Sequence, residues 1–329
     1  MTGPVPLFTL AELEAATALV RDVVPATPQY AWPRLAERLG CEVWVKHENH
    51  TPTGAFKVRG GVVYMDALKR GAMHMKGVIS ATRGNHGQSI SFSAARFNIP
   101  ATIYVPYGNS SDQNAAMRAF GATVVEFGKD FDEARVEAAR IAKEQDLHFV
   151  PSFHRDLVKG VATYAHELFR AVAELDTVYV SIGMGSGVSG LITVRDLLGL
   201  KTQIVAVVSR NAPAMALSFD AGRPISTNSA FTFADGIATR EPIEEVVTII
   251  RHGAARVVQV SEDEIAEAIR VYFQDTHQIA EGAGAAPLAG LIQERHRMAG
   301  KKIGVILSGG NMDASKYRLI LAGNTPVAG

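Results

Sequence analysis

Four short segments of the chain hold residue types that together suit a covalently bound cofactor. Lys57 lies in Thr-Gly-Ala-Phe-Lys-Val-Arg-Gly-Gly (53–61), where a turn leads into a predicted helix. A lysine amine can form a Schiff base with an aldehyde cofactor. Further along are Gly-Asn-His-Gly (84–87), Gly-Met-Gly-Ser-Gly (183–187) and Ser-Gly-Gly-Asn (308–311). These residue types suit the phosphate, ring and hydroxyl of such a cofactor, so we interpret Lys57 as the centre of an enzyme's chemistry.

The glycine-rich segment predicts an anion site. A predicted strand, Thr177–Ile182, runs into residues 183–187, and a predicted helix follows over Val188–Leu198. Backbone N–H groups at a helix N-terminus attract anions, and glycines let a phosphate come close. A tight turn that only packs the helix against the strand is the structural alternative.

The same segment also fits the dinucleotide pattern G-x-G-x-x-G at Gly185, Gly187 and Gly190. That pattern needs an acidic residue about 20 residues further on to hold a ribose. No carboxylate stands at the end of the next predicted strand, so NAD is disfavoured. The next predicted strand ends near Arg210, whose charge suits a ribose phosphate. An NADP-binding oxidoreductase therefore stays as an alternative.

Polar residues stand at two further ends of predicted strands. Asn85 offers a donor and an acceptor for a phenolic oxygen, and a helix cap is its structural alternative. Backbone N–H groups over 83–87 favour an anion such as a substrate carboxylate. His86 alone is more typical of packing than of a catalytic base. Ser308 follows an apolar strand, and the carboxyl ends of strands face the ligand crevice in α/β folds.

Helices and strands alternate along the chain, which predicts an α/β fold with parallel sheets flanked by helices. Helices are predicted over Leu10–Val24, Val58–Arg70, Gly87–Phe97, Asp112–Phe120, Asp130–Gln145, Gly160–Val172, Glu262–Thr276 and Ala286–Glu294. Strands are predicted over Glu42–Lys46, Gly77–Ala81, Ala101–Val105, Thr123–Phe127, Gln203–Val208, Val257–Val260 and Lys302–Leu307. Residues 62–149 form a small α/β domain in this prediction, and residues 1–61 and 150–329 form a large domain. The segment 209–256 is the least regular.

The bulk properties exclude several function classes. Lys plus Arg and Asp plus Glu both number 33, so neither nucleic acid nor an anionic membrane is an expected partner. Cys41, the one cysteine, excludes an internal disulfide and suits a reducing compartment. Histidines are scattered, and no Cys pair is available for a metal. Without a signal peptide or a long apolar run, we expect a cytoplasmic protein.

Together the four segments closely resemble the serine/threonine dehydratase family, the fold type II enzymes that use pyridoxal 5′-phosphate (PLP) and include the serine racemases. The fold is similar to that of the tryptophan synthase β subunit. The resemblance begins at Thr27-Pro28, includes Val45-Lys46-His47-Glu48-Asn49 and ends at Ser308–Asp313. It implies a small amino-acid substrate and a homodimer. The sequence ends shortly after this motif, so a catabolic role without isoleucine feedback is also expected.

The resemblance also implies a role for each matching residue. Lys57 forms the Schiff base and takes the substrate's α-proton, after which the β-hydroxyl leaves and a 2-keto acid and ammonia form. Asn85 binds the cofactor's 3′-oxygen, and Ser308 meets the pyridine nitrogen. A neutral hydroxyl at that nitrogen favours prompt elimination. The remaining cofactor contacts are Phe56, Gly236, Glu281 and the phosphate loop Gly183, Met184, Gly185, Ser186 and Gly187.

Several residues depart from the family pattern. Arg83 stands where racemases carry a serine as the second acid/base, and a guanidinium is a poor proton shuttle. Val208 and Ala214 stand at the metal carboxylates of some members, so no metal is expected. Met184 and Ser186 replace glycines, and Ala55 replaces a serine.

These departures favour a dehydratase of threonine, serine or a β-substituted serine such as phenylserine, and leave hydroxyaspartate open. Thr82, Arg83 and His86 are the predicted substrate contacts. The role of Arg83 is open between a solvated side chain and one that binds a substrate carboxylate or stacks on an aromatic group. An amino-acid racemase and a non-catalytic ligand-binding protein of the same fold are also compatible with these residues.

Overall fold

A computed structural model describes residues 6–71 and 75–327 of the chain. Within these ranges the strands are β1 (Gln29–Ala31), β2 (Glu42–His47), β3 (Val78–Ala81), β4 (Ala101–Val105), β5 (Thr123–Glu126), β6 (His148–Phe149), β7 (Thr177–Ser181), β8 (Gln203–Ser209), β9 (Arg256–Val260) and β10 (Lys302–Leu307). The helices are α1 (Leu10–Arg21), α2 (Pro33–Leu39), α3 (Lys57–Arg70), α4 (Asn85–Arg96), α5 (Ser111–Ala119), α6 (Phe131–Gln145), α7 (Arg155–Val161), α8 (Thr163–Ala171), α9 (Ser186–Leu197), α10 (Ala214–Ala221), α11 (Glu244–Gly253), α12 (Glu262–Thr276), α13 (Gly282–Gln293), α14 (Arg295–Met298) and α15 (Ala314–Leu321). Short 3₁₀ helices occupy Glu48–His50 and Asp235–Ile237.

The strands form two sheets. The larger has the order β1-β2-β10-β7-β8-β9, with only β1 antiparallel to its neighbour. The smaller has the order β5-β4-β3-β6, and all its pairs are parallel. Parallel sheets need apolar cover on both faces, and helices supply it here. This architecture confirms the predicted α/β class.

The central strands of the large sheet are apolar on both faces. Val305 of β10 pairs with Val45 of β2 and Tyr179 of β7, and all three residues are buried. Because β2, β7 and β10 are parallel, their carboxyl ends meet at one edge, from which His47, the glycine loop and Ser308 emerge.

The small sheet is built from residues 78–149 alone, whereas the large sheet uses segments on both sides of it. We therefore retain 62–149 as the proposed small domain and 1–61 with 150–329 as the proposed large domain. Polar contacts join the two parts, among them the hydrogen bond from Ser110 Oγ to Asp313 (2.5 Å) and the ion pair of Arg240 with Asp132.

One predicted helix, Gly160–Val172, is wrong as a single element. The structure divides it into α7, which begins earlier at Arg155, and α8. Thr163 stands at the break and its hydroxyl donates to the Gly160 carbonyl oxygen (2.8 Å). A side chain that binds the backbone in this way competes with the regular helical ladder. The same hydroxyl accepts from Arg59 Nη1 (3.1 Å), so a tertiary contact fixes the break.

A buried charge cluster anchors α3, the helix that begins with Lys57. Arg59 Nε lies 2.7 Å from Glu48 Oε2, and its Nη2 lies 2.9 Å from Glu167 Oε2. Lys46 Nζ reaches the same Glu167 oxygen at 2.7 Å. The two cations and two carboxylates balance, as buried charges must to offset their lost hydration. The start of α3 is thereby tied to β2 and α8.

Candidate active site

Lys57 begins α3 and is held by two loops that pair with each other. Phe56 N–H donates to the Ser308 carbonyl oxygen (3.0 Å), and Ala55 forms an isolated antiparallel bridge with Gly309. From α4, Ser89 Oγ donates to the Lys57 carbonyl oxygen (2.6 Å). The start of α3 is therefore fixed from two sides, by the loop after β10 and by α4. Its Nζ lies 5.1 Å from the centre of the Phe56 ring.

The surroundings of Lys57 favour its neutral amine. Burial lowers the pKa of Lys57 to about 8, and the nearby Glu281 carboxylate offsets part of this effect. At pH 7 about one molecule in ten then carries the free amine, against about one in three thousand at the ordinary lysine pKa. Only the neutral form attacks an aldehyde, so this site is prepared for Schiff-base chemistry.

This pKa predicts how Schiff-base formation at Lys57 depends on pH. The rate at which the protein forms a Schiff-base absorbance band with an added aldehyde, PLP, should rise up to about pH 8 and then level off. Stopped-flow absorbance between pH 6 and 10.5 measures it, with Lys57→Arg as a control that forms no band. A rate that still climbs tenfold per pH unit above pH 9 would contradict the lowered pKa.

The glycine loop lies against the Lys57 amine. Lys57 Nζ donates to Ser186 Oγ over 3.0 Å, and Ser186 is the first residue of α9. The cap residue Gly185 has φ +95° and no side chain to satisfy the first N–H groups. A Cβ at Gly185 would collide with Val246, and one at Gly183 with the Gly236 carbonyl oxygen. The loop thus leaves a bare helix N-terminus, which binds anions such as phosphate.

Asn85, Glu281 and the loop that follows β10 meet near Lys57 although they are far apart in sequence. Asn85 Nδ2 donates to Glu281 Oε1 (2.7 Å), and Glu281 N–H donates to the Gly309 carbonyl oxygen (3.1 Å). Burial raises the pKa of Glu281 to about 7, and the hydrogen bond from Asn85 opposes the rise. The buried Ser308 follows β10 directly. Gly236 lies close to both Gly183 and Glu281.

The loop that carries Thr82, Arg83 and His86 presents backbone more than side chains. Thr82 Oγ1 accepts from Gly84 N–H (3.0 Å) and Gly87 N–H (3.3 Å), so this hydroxyl shapes the loop. His86 Nε2 is inaccessible and has no hydrogen-bond partner among the described residues. Burial, with a smaller effect of the Lys57 charge, lowers the pKa of His86 to about 3. The imidazole is therefore neutral.

Arg83 contacts Asp235, a residue that the sequence motifs did not indicate. Arg83 Nε lies 3.5 Å from Asp235 Oδ1, and Lys316 Nζ lies 3.9 Å from the other oxygen of Asp235. The Arg83 side chain is 37% exposed. The side chain is therefore partly exposed, and it connects the loop before Asn85 to the segment that contains Gly236. The one sequence signal that could have placed Asp235 near the site is its position directly before Gly236, a predicted cofactor contact.

Donor chemistry in this site fits PLP. A cavity beside Lys57 is lined by Ser186, His86 and Ser152 among others. A reactive amine, a bare helix N-terminus and polar groups at Asn85 and Ser308 match an aldehyde, a phosphate and a substituted pyridine ring.

Within 6–71 and 75–327, no three His, Cys, Asp or Glu residues are grouped to hold a metal ion. Among the helices of those ranges, none is long and apolar enough to span a bilayer.

Residues 20–309 match the family described as pyridoxal-phosphate dependent enzyme. The chain therefore belongs to this family, and its cofactor is pyridoxal 5′-phosphate. This result confirms the predicted fold type II class and the resemblance to serine/threonine dehydratases. It leaves the NADP alternative without support, and Arg210 instead pairs with Glu264 (3.4 Å).

Within the family, the chain is similar to proteins named for threonine. It is 32% identical over 305 residues to a biosynthetic L-threonine dehydratase of Haemophilus influenzae, covering 92% of this chain and 59% of that protein. An L-threonine ammonia-lyase of Geobacter sulfurreducens is 35% identical, with coverages of 89% and 73%. Among solved structures, the processed form of tomato threonine deaminase isoform 2 superposes with a TM-score of 0.88 at 30% identity, covering 98% of this chain and 99% of that one.

Proposed function

We propose that this protein is a PLP-dependent ammonia-lyase that converts a β-hydroxy amino acid to a 2-keto acid and ammonia. The substrate class is threonine, serine or a β-substituted serine such as phenylserine. One contact carries the proposal furthest: Lys57 Nζ lies 3.0 Å from Ser186 Oγ, so the reactive amine adjoins the anion-binding start of α9. The names of two relatives, an L-threonine dehydratase and an L-threonine ammonia-lyase, support the same reaction.

In this mechanism Lys57 acts as the base. When bound, PLP supplies an electron sink for the carbanion at the substrate Cα. The Lys57 amine, whose pKa is lowered by burial, accepts the α-proton. Ser308 would offer a neutral hydroxyl to the ring nitrogen, which would favour rapid loss of the β-hydroxyl over a long-lived carbanion. We also propose that Phe56 packs against the ring and that residues 183–187 hold the phosphate.

The start of α4 is suited to the substrate's α-carboxylate. Its cap residue Gly84 has no side chain, and Thr82 satisfies only the N–H groups of Gly84 and Gly87. The N–H groups of Asn85 and His86 have no partner among the described residues. An anion there gains from both hydrogen bonds and the helix dipole. Holding the carboxylate at this point directs the α-proton toward Lys57.

A lyase fits the residues better than a racemase. Racemisation needs a second group that exchanges a proton on the opposite face of the Cα. A guanidinium is a poor proton shuttle, and that of Arg83 pairs with Asp235. Burial lowers the pKa of His86, so its imidazole is neutral. Neither is poised to exchange a proton.

Homodimerisation remains a prediction of the family resemblance. Size-exclusion chromatography with light scattering tests it.

The lyase proposal is tested by product analysis. The purified holoenzyme should release a 2-keto acid and ammonia in equal amounts from threonine, serine or phenylserine. Lactate dehydrogenase or hydrazone assays measure the first product, and glutamate dehydrogenase measures the second. Racemised substrate without ammonia would favour the racemase, and neither product from any β-hydroxy amino acid would favour a binding module.

Arg83 should affect substrates according to their side chains. In Arg83→Ala we expect kcat/KM for 3-hydroxyaspartate to fall about 10-fold more than kcat/KM for threonine, because only the former has a side-chain carboxylate for the guanidinium. Asp235→Asn should shift the same ratio the opposite way, since it releases Arg83 from its partner. The exposed Arg96 on α4 gives the matched control, Arg96→Ala. Equal losses across threonine, serine, phenylserine and 3-hydroxyaspartate would refute this selectivity.

A further inference from the structure

A chain of side-chain hydrogen bonds crosses the site from Asn311 to Asn85 to Glu281. Its first member is anchored by the backbone: Asn311 Nδ2 donates to the Thr53 carbonyl oxygen over 2.8 Å. A carbonyl oxygen can only accept, so this contact decides which end of the Asn311 amide carries the nitrogen. The assignment does not depend on any titratable group.

The direction set at Thr53 passes on to Asn85. The same Asn311 Nδ2 donates to Asn85 Oδ1 at 2.8 Å, which requires the oxygen of Asn85 to face Asn311. The nitrogen of Asn85 must then lie on the other side, where it donates to Glu281 Oε1 at 2.7 Å. An amide nitrogen carries two hydrogens. One is used by Glu281, and the second has no partner among the described residues.

The local backbone holds Asn311 in this position. Gly310 N–H donates to the Gly54 carbonyl oxygen (2.9 Å), which joins the loop before Lys57 to the loop after β10. Gly54 has φ +67°, and a Cβ there would collide with Asn311 Oδ1. Glycine at this position thus supplies both the turn and the room for the Asn311 amide. The donor end of Asn311 is directed at Thr53 and Asn85 by the fold.

We propose that Asn311 is a positioning residue that sets the orientation of the Asn85 amide and reserves one of its N–H groups for the cofactor's 3′-oxygen. With the amide reversed, Asn85 would present its oxygen to two acceptors, the cofactor oxygen and the Glu281 carboxylate. The inference rests on the proposed contact of Asn85 with the cofactor. Asn311 itself acts only through Asn85.

Asn311→Asp tests the proposal because it keeps the shape and removes the donor. Two readouts on the holoenzyme are informative: the dissociation constant of PLP, and the pH titration of the bound cofactor's absorbance. We expect the dissociation constant to rise about 10-fold, the loss of roughly one hydrogen bond to a charged group. The titration midpoint should also shift in the direction seen in Asn85→Ala.

The double variant Asn311→Asp with Glu281→Gln separates orientation from loss of packing. The introduced glutamine side chain can donate to Asn85 Oδ1 and the introduced aspartate can accept from Asn85 Nδ2, so both hydrogen bonds of Asn85 are restored in the reverse direction. Only the hydrogen bond to the Thr53 carbonyl oxygen stays lost. We expect the melting temperature to recover toward wild type while PLP affinity stays weak. Recovery of both, or wild-type affinity in Asn311→Asp beside weak affinity in Asn85→Ala, would overturn the proposal. Unchanged affinity and absorbance in Asn85→Ala would instead remove the proposed Asn85 contact on which it rests.

Discussion

Lys57→Ala should lower turnover of every accepted amino acid by at least about 10⁴-fold. The variant loses the amine that binds the cofactor covalently and the base that takes the α-proton, and losses of this size are typical when such a group is removed. A steady-state keto-acid assay at saturating PLP measures it. Lys129→Ala is the control for replacing a lysine, because the side chain of Lys129 is 78% exposed.

The same variant separates chemistry from folding. Lys57 Nζ makes only one hydrogen bond to the described residues, to Ser186, and lies in a cavity. Shortening it should therefore leave the unfolding midpoint near that of the wild-type apoenzyme. A Lys57→Ala enzyme that retains turnover within about 10-fold of wild type would remove Lys57 from the mechanism.

Arg59→Met should destabilise the fold by about 3–5 kcal/mol, the usual cost of breaking a buried ion pair by removing one partner. The change leaves Glu48 and Glu167 enclosed with Lys46 as the one remaining cation of the cluster. Urea unfolding followed by circular dichroism measures the free energy of unfolding. Because α3 starts two residues earlier at Lys57, PLP should also be lost at a lower urea concentration.

A matched control for Arg59→Met lies on the exposed face of α6. Arg140 also pairs with a glutamate, Glu137 (2.7 Å), but its side chain is 52% exposed. Water already screens this pair, so Arg140→Met should leave the free energy of unfolding close to that of wild type. Equal free energies of unfolding for the two variants would show that the cluster under α3 does not anchor the site.

The sequence predicted most of the regular elements because their hydrophobic periods are strong. The bounds of β4, β10 and α12 agree with the predicted ranges, and α9 begins two residues earlier than predicted. That difference matters chemically, because it makes Ser186 the first residue of the helix rather than a loop residue. Strand β1 and helix α2 were missed, although Pro33 at the start of α2 and the left-handed Gly40 after it are typical boundary signals.

The candidate site was predictable as a set of motifs but not as a network. Lys57 and the glycine loop carry local signatures, so their chemistry follows from residue type and position. The contact of Arg83 with Asp235 joins residues from distant parts of the chain, and no local pattern encodes it. The same holds for Asn311, which lies in a recognisable motif yet gains its role only from Thr53 and Asn85.

The buried charges illustrate a further limit. Lys46, Glu48 and Arg59 lie in recognisable motifs, but their sequence spacing does not reveal that they are enclosed together with Glu167. Charged residues are usually exposed, so the burial of four of them depends on the tertiary structure and not on the local sequence. Only the ion pairs seen in the folded structure show that they balance one another.

Chemical reduction locates the covalently bound cofactor most directly. Treating the yellow holoenzyme with borohydride should bleach its Schiff-base band and fix a pyridoxyl group irreversibly to the protein. Peptide mapping by mass spectrometry should then find that group on Lys57 alone. A pyridoxyl group on another lysine, or a coloured protein whose band resists borohydride, would contradict the assignment of Lys57 as the catalytic lysine.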